Sequence, residues 1–546
     1  MSNIKFNKKS FEKDIGKLDE NMQNKIAMFG TTLEQVTDGE IEIEVNPNRP
    51  DLLSYSGFKR SFLSFLEKTK GLKKYDLKKP EKNYEVIVDS SVKEVRPYTV
   101  CAIVKKLNLN HDKIKELINI QEKLHFTIGR KRKKLAIGIY SLEKIKLPIT
   151  YTALEPDKIK FIPLEATREM SGLEILQRHP TGRDYAHLLA GKSKFPVFID
   201  ADKNILSMPP IINSQSTGRI TEGTKEVFVE CSGFDMFILE KCLNIIVTSL
   251  AEIGGEIYQM KVNSKIIPDL KTEKRKISLE NTNKLLGLDL NEKQIKKLLE
   301  KMGHNYSDKE VETPSWRVDI MHEVDLIEDI AIAYGYDNFV PEMPQISTIG
   351  QESQKEIIKK KISEILSGLN MLEVSNYHLT NKKDQFERMG VLEKQEKDFI
   401  EVEESKTEYN LLRKDLTHYL LKTFSENTDS EYPQRIFEAG KVFSQKEGKS
   451  FEEKEMLAAA LVSGNFTEMK QVILHLFNML DMNITLKESE KFPAHFIDGR
   501  VAEIFLEGKS IGFLGEIHPK ILKNWKIKMP VALFEIGLEE LFSRLI

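Results

Sequence analysis

The run Pro314-Ser315-Trp316-Arg317-Val318-Asp319, leading into residues 325–338, constrains the fold more than any other segment. Read as a helix from Asp325, it has an apolar stripe of Leu326, Ile327, Ile330, Ala331 and Tyr334. Asp325, Glu328 and Asp329 are related by i,i+3 and i,i+4 steps, so they share the other face. Ile332 breaks the pattern by falling among the acids, and Gly335 stops the helix. Like charges on one helical face repel by a few tenths of a kcal/mol per pair. Asp319, on the preceding segment, adds a fourth acid. Two answers fit such a cluster. One is a hard divalent cation such as Mg²⁺ held by carboxylate oxygens. The other is a solvated acidic face whose first-turn acids the helix dipole favours. Chemistry alone leaves both open.

A chain of 546 residues is too long for one core, so three to five domains are expected. Apolar residues make up 40% and charged residues 30%, the balance of a globular protein. A net charge of −2 gives no whole-chain attraction to nucleic acid, so RNA contact must come from local patches or a partner chain. Cys101, Cys231 and Cys242 form no CxxC pair and no zinc spacing, which fits a reducing compartment. Residues 1–13 lack an apolar signal core, and no run approaches 18 apolar residues. The expectation is a cytoplasmic protein with no membrane association.

Along the chain, residues 41–45 alternate strictly and read as a half-buried strand. Asn46-Pro47-Asn48-Arg49-Pro50-Asp51 breaks it, and Asp51 or Ser54 caps the helix that follows. Residues 68–82 and 263–276 read as linkers. Arg130-Lys131-Arg132-Lys133-Lys134 reads as a charged turn between two strands, with RNA contact or plain solvation as its alternatives. Residues 84–262 mix strands with an apolar helix at 238–253. Residues 277–340 form a compact unit that ends in the acidic helix. Residues 355–546 open with an amphipathic helix and continue in strand-like runs at 374–378, 435–443, 457–462, 501–506, 510–516 and 531–536. That is an antiparallel sheet with helices.

A second dense signal is Ser207-Met208-Pro209-Pro210-Ile211-Ile212-Asn213. Two prolines fix φ and remove two backbone donors, so Ser207 and Asn213 are held in set positions. That suits a small polar ligand, and equally a buried proline corner with a capping serine. No P-loop, HExxH, GxSxG or strand-following GxGxxG motif occurs.

Taken together, these motifs resemble the β subunit of phenylalanyl-tRNA synthetase, archaeal and eukaryotic type. Residues 46–54 resemble its B1 signature. His179-Pro180-Thr181-Gly182-Arg183-Asp184-Tyr185-Ala186-His187, the Ser207–Asn213 run and Phe228-Val229-Glu230-Cys231 resemble its B3/B4 module. Residues 314–338 resemble B5. Arg413, Tyr432-Pro433-Gln434-Arg435 and Gly515-Glu516-Ile517-His518-Pro519 resemble B6/B7.

The resemblance implies a multidomain α+β fold. Residues 1–83 would be a B1-like module and linker, and 84–271 a B3/B4 editing domain. Residues 272–341 would be B5, and 342–546 an inactive class II synthetase-like antiparallel sheet domain. It implies Mg²⁺ on Asp319, Asp325, Glu328 and Asp329, and an editing pocket with Ser207, Asn213 and Glu230 that hydrolyses Tyr-tRNA(Phe). The chemical need is plain, since a pocket shaped for phenylalanine cannot strongly reject the same ring bearing a hydroxyl. It also implies an α₂β₂ heterotetramer with an α subunit that binds ATP and phenylalanine and charges tRNA(Phe). Residues 342–546 contain no Gly-x-Gly-x-Gly-x-x-Arg or Phe-Arg-x-Glu motif for that reaction. The segment after Asn213 departs from many relatives by lacking a His. The rival reading is an RNA-binding or scaffold protein that has lost editing.

Overall fold

The computed structural model describes residues 2–345, 349–391, 398–446 and 450–546. They divide into two compact units, Met1–Glu342 and Met343–Ile546.

The first unit opens with a three-stranded antiparallel sheet whose central strand is Glu40–Val45, flanked by Ser2–Asn7 and Thr32–Val36. The alternation at 41–45 puts Ile41, Ile43 and Val45 in the core. Ser54 caps the next helix, Tyr55–Phe65, by accepting from the Gly57 amide. Asp51 does not cap it, because its carboxylate is buried against Arg49.

Two larger sheets follow. The five-stranded sheet runs, in spatial order, Leu77–Lys78, Glu256–Tyr258, Tyr98–Lys105, Val227–Gly233, Leu135–Ser141. The seven-stranded sheet includes the hairpin of Ile205–Met208 and Ile212–Asn213 at one edge. The apolar helix Met236–Glu252 packs on Tyr98–Lys105 and Val227–Gly233. Three expectations need correction. The basic run follows a helix, His111–Phe126, because Asn110 caps that segment and its apolar residues recur at helical spacing. The 68–82 stretch contributes a short strand that pairs with Glu256–Tyr258. Residues 263–276 contain strands Lys265–Ile267 and Glu273–Lys276, since lysines on a sheet edge keep their charges in water while the backbone pairs.

Residues 273–338 build a small sheet of Glu273–Lys276, Glu310–Thr313 and Asn305–Ser307 with helices Leu279–Leu286, Glu292–Lys301 and Glu323–Tyr334. Ile295, Leu299, Leu326, Ile327 and Ile330 share its core.

The second unit is a seven-stranded sheet centred on Phe451–Val462 and Val531–Gly537. Its neighbouring strands pair antiparallel, except that Leu372–Glu373 runs parallel to Gln434–Gln445. Residues 374–378 lie beyond that short strand. Both faces of the sheet are covered. Leu457, Ala459 and Leu461 pack in one core with helices Gln354–Gly368 and Phe466–Met479. Ala458, Ala460 and Val462 pack in another with Thr417–Glu426. Burial on both sides explains why residues 457–462 of this strand read as an unbroken apolar run.

Candidate functional site

The strand Val227–Gly233 lies between Tyr98–Lys105 and Leu135–Ser141, and all seven of its residues are buried. Glu230 therefore sits mid-strand at 1% exposure. It faces Gly138 across the pair, and Tyr140 lies on the same face two residues on. A Cβ at position 138 would run into both the Tyr140 hydroxyl and the Glu230 carboxylate. Glycine there lets the phenol lean along the strand toward Glu230. The Tyr140 hydroxyl lies 2.8 Å from Ser207 Oγ, 3.2 Å from Glu230 Oε1 and 3.4 Å from Asn213 Oδ1. Ser207 and Asn213 are themselves opposite each other in their hairpin. The three residues expected in the pocket thus meet around a fourth that the motifs did not indicate. The signal that points to it is the two-residue spacing of Gly138 and Tyr140 on one strand face.

Burial pushes the Glu230 carboxyl up to about 8, against the pull of Arg96 and of hydroxyls from Tyr140 and Ser232. Glu230 Oε2 is buried with no hydrogen-bond partner. Glu230 and Asn213 line a cavity of about 550 Å³ with Ile137, Pro210, His125 and Arg132. Arg132 comes from the basic run but turns inward. It donates to the Ile211 carbonyl at 2.8 Å and pairs with Glu122 at 2.8 Å. Its guanidinium stacks over the Tyr185 ring. His125 is occupied structurally, since its Nε2 accepts the Ile137 amide at 2.8 Å.

The four acids border a second cavity, of about 170 Å³, together with Asn46, Asn48 and Arg49 of the amino-terminal module. Their surroundings differ sharply. Asp325 Oδ2 accepts the Met321 and His322 amides, both at 2.7 Å, and so caps its own helix. Glu328 is exposed. Asp329 is buried and its Oδ2 lies 2.8 Å from Arg317 Nη2 and 2.7 Å from His304 Nε2. Burial alone would raise the Asp329 carboxyl, but Arg317 and His304 hold it well below the usual carboxylate range. Asp319 takes the same guanidinium, Nε at 2.9 Å and Nη2 at 2.7 Å. Among the described residues, no group of three or more His, Cys, Asp or Glu is arranged to hold a metal ion. As they stand, two of the acids, Asp319 and Asp329, already have Arg317 as a counter-charge. Ile332 fits its place, since it packs against the core that the amino-terminal module shares.

In the second unit, Glu438 is buried, pairs with Arg413 at 2.6 Å and accepts from Asn376 Nδ2 at 2.7 Å. The sheet thus uses these groups to hold its own strands together.

A multidomain α+β chain with this sheet, a buried acid at a pocket and the acidic-helix module has the make-up of an aminoacyl-tRNA synthetase subunit. Residues 275–336 match the tRNA synthetase B5 domain, and residues 340–538 match the phenylalanyl tRNA synthetase beta chain CLM domain. The phenylalanine--tRNA ligase beta subunit of Thermococcus sibiricus is 40% identical over 509 residues, 91% of this chain and 90% of the relative. That of Archaeoglobus fulgidus is 36% identical over 97% of each chain. A crystal structure of an N-terminal fragment of the Pyrococcus horikoshii phenylalanyl-tRNA synthetase beta subunit is 39% identical, with a TM-score of 0.58. The match spans 61% of this chain and 99% of the fragment. The chain belongs to the phenylalanyl-tRNA synthetase β-subunit family, and its relatives are subunits of a ligase. Among the described residues, no helix is long and apolar enough to cross a membrane.

Proposed function

We propose that the first unit hydrolyses tyrosine mis-esterified to tRNA(Phe). The observation that carries this reading is the meeting of Ser207, Asn213 and Glu230 around one hydroxyl, with Glu230 lining a cavity large enough for an aromatic amino acid. Water adds to the ester carbonyl, and the bond to the terminal ribose oxygen breaks. Tyrosine and free tRNA are the products, and the ribose oxygen takes a proton. An aminoacyl ester is already activated, so positioning the carbonyl and one water supplies most of the rate. Glu230 recognises the tyrosyl hydroxyl and is not the general base. The test is deacylation of Tyr-tRNA(Phe) by the complex. Hydrolysis that Ser207→Ala and Asn213→Ala weaken, with phenylalanine charging near normal, supports the reading. No hydrolysis by the wild-type complex leaves the scaffold alternative.

The same reading gives the chain a cytoplasmic place in an α₂β₂ heterotetramer. The α subunit there binds ATP and phenylalanine and charges tRNA(Phe), and the second unit supports it. The absence of the ATP motifs from residues 342–546 favours this division. ATP-dependent charging by the purified single chain would overturn it.

Mg²⁺ on Asp319, Asp325, Glu328 and Asp329 belongs to the proposal as a stabilising ion and takes no part in hydrolysis. The shared cavity favours it, and the Arg317 pairs oppose it. A rise in the melting temperature of the full chain in Mg²⁺ over chelator, lost in Asp325→Asn, supports it. An unchanged melting temperature assigns the counter-charge to Arg317 alone.

A further inference from the structure

Tyr140 has no assigned part in the pocket, yet its hydroxyl is the common neighbour of Ser207, Asn213 and Glu230. Asn213 and Glu230 line the cavity wall, and Tyr140 lies behind it, fully buried against Phe228. Buried polar groups seek partners, and here one phenol stands within hydrogen-bond reach of three. It takes up Glu230 Oε1 and leaves Oε2 without one. We propose that Tyr140 is a positioning residue that sets the specificity of this pocket: it fixes Glu230 so that Oε2 alone meets the phenolic hydroxyl of the ligand. This inference rests on the editing reading given above.

The physical basis is selective pairing. A pocket with several loose polar groups rewards any hydroxyl, amide or water. A pocket with one unpaired oxygen, held at one place, rewards a hydroxyl at the matching distance and leaves other groups unmatched. Discrimination is strongest where a missing partner leaves a buried polar atom unpaired. Gly138 is part of the same device, because any side chain there would displace the phenol or the carboxylate.

The experiment uses the full complex and Tyr140→Phe, which keeps the ring and its packing and removes the hydroxyl. Deacylation of Tyr-tRNA(Phe) and Phe-tRNA(Phe) is measured against pH, with Glu230→Gln as reference. Wild type is expected to prefer the tyrosyl ester. Tyr140→Phe is expected to lower that preference by about tenfold, the scale of one lost hydrogen bond, while phenylalanine charging is unchanged. The pH inflection that Glu230→Gln abolishes is expected to move upward, because the lost hydroxyl favoured the ionised carboxylate. Binding of free tyrosine and phenylalanine to the full chain gives a second readout, in which the preference for tyrosine falls by the same factor. An unchanged ester preference and inflection in an active variant overturn the role of Tyr140 alone. Equal slowing of both esters also overturns it and leaves Tyr140 a packing residue. A wild-type complex that neither hydrolyses the tyrosyl ester nor prefers tyrosine overturns the editing reading, and this inference with it.

Discussion

Glu230 and Asp329 are both buried carboxylates, and their neighbours drive them in opposite directions. Glu230 faces one cation, Arg96, with Tyr140, Tyr151 and Cys101 around it, and burial wins. Its raised value means that the folded chain keeps a proton which the unfolded chain releases between pH 4.5 and about 8. Stability from this site therefore falls as pH rises through that window. Glu230→Gln removes the effect, so its melting temperature should gain on wild type from pH 5 to pH 8; parallel curves would refute this. Asp329 is the reverse case. Its depressed value contributes stability above pH 3.8 that is lost as pH falls below it. Removing its partner with Arg317→Met leaves two acids without their counter-charge, one of them deeply buried, and should cost about 3–5 kcal/mol. Denaturant melts of the full chain at pH 7 measure this. At this scale the sequence named Glu230 and Asp329 as candidates but not their states. Nothing in the order of residues tells that Asp329 points inward to Arg317 while Glu328, one step earlier, points to solvent. That depends on what the helix packs against.

Elements were more legible. The helix Glu323–Tyr334 carries its apolar stripe where periodicity puts it, and its start differs by two residues because the cap is His322. Ile332, which looked misplaced, is explained only by a neighbour over 250 residues away in sequence, since its Cδ1 lies 3.9 Å from a Cβ built on Gly30. Gly335 holds φ +94°, with Asn338 Nδ2 2.9 Å from where a Cβ would stand. Gly335→Ala should therefore cost about 1–3 kcal/mol, read by melting of the full chain. The strand Phe451–Val462 makes a second case. Its alanines face tight cores on both sides, so Ala459→Leu should destabilise by about 1–3 kcal/mol through overpacking. A neutral effect in denaturant titration would show slack that the packing does not suggest. The linkers at 68–82 and 263–276 were misread for one reason. Short edge strands rich in lysine have loop composition, and only their partners define them.

For the whole molecule, the sequence motifs carried the family, and contacts carried the geometry. The net charge of −2 gives no general attraction to RNA. Of the basic run, Arg132 is committed to Glu122, Ile211 and Tyr185, while Arg130, Lys131, Lys133 and Lys134 are exposed. Replacing Lys131 and Lys133 by Ala should weaken tRNA binding by the complex and flatten its salt dependence. Unchanged affinity across a salt series would assign the run to plain solvation.

The cavity behind which Tyr140 stands is lined by residues of the unit Met1–Glu342. On the proposed reading, a small molecule lodged there would not starve a cell of charged tRNA. Protein synthesis would continue at its normal pace while tyrosine accumulated at phenylalanine codons. The harm would appear as a slow decline in the quality of the proteome, most severe where a buried phenylalanine ring must tolerate an added hydroxyl.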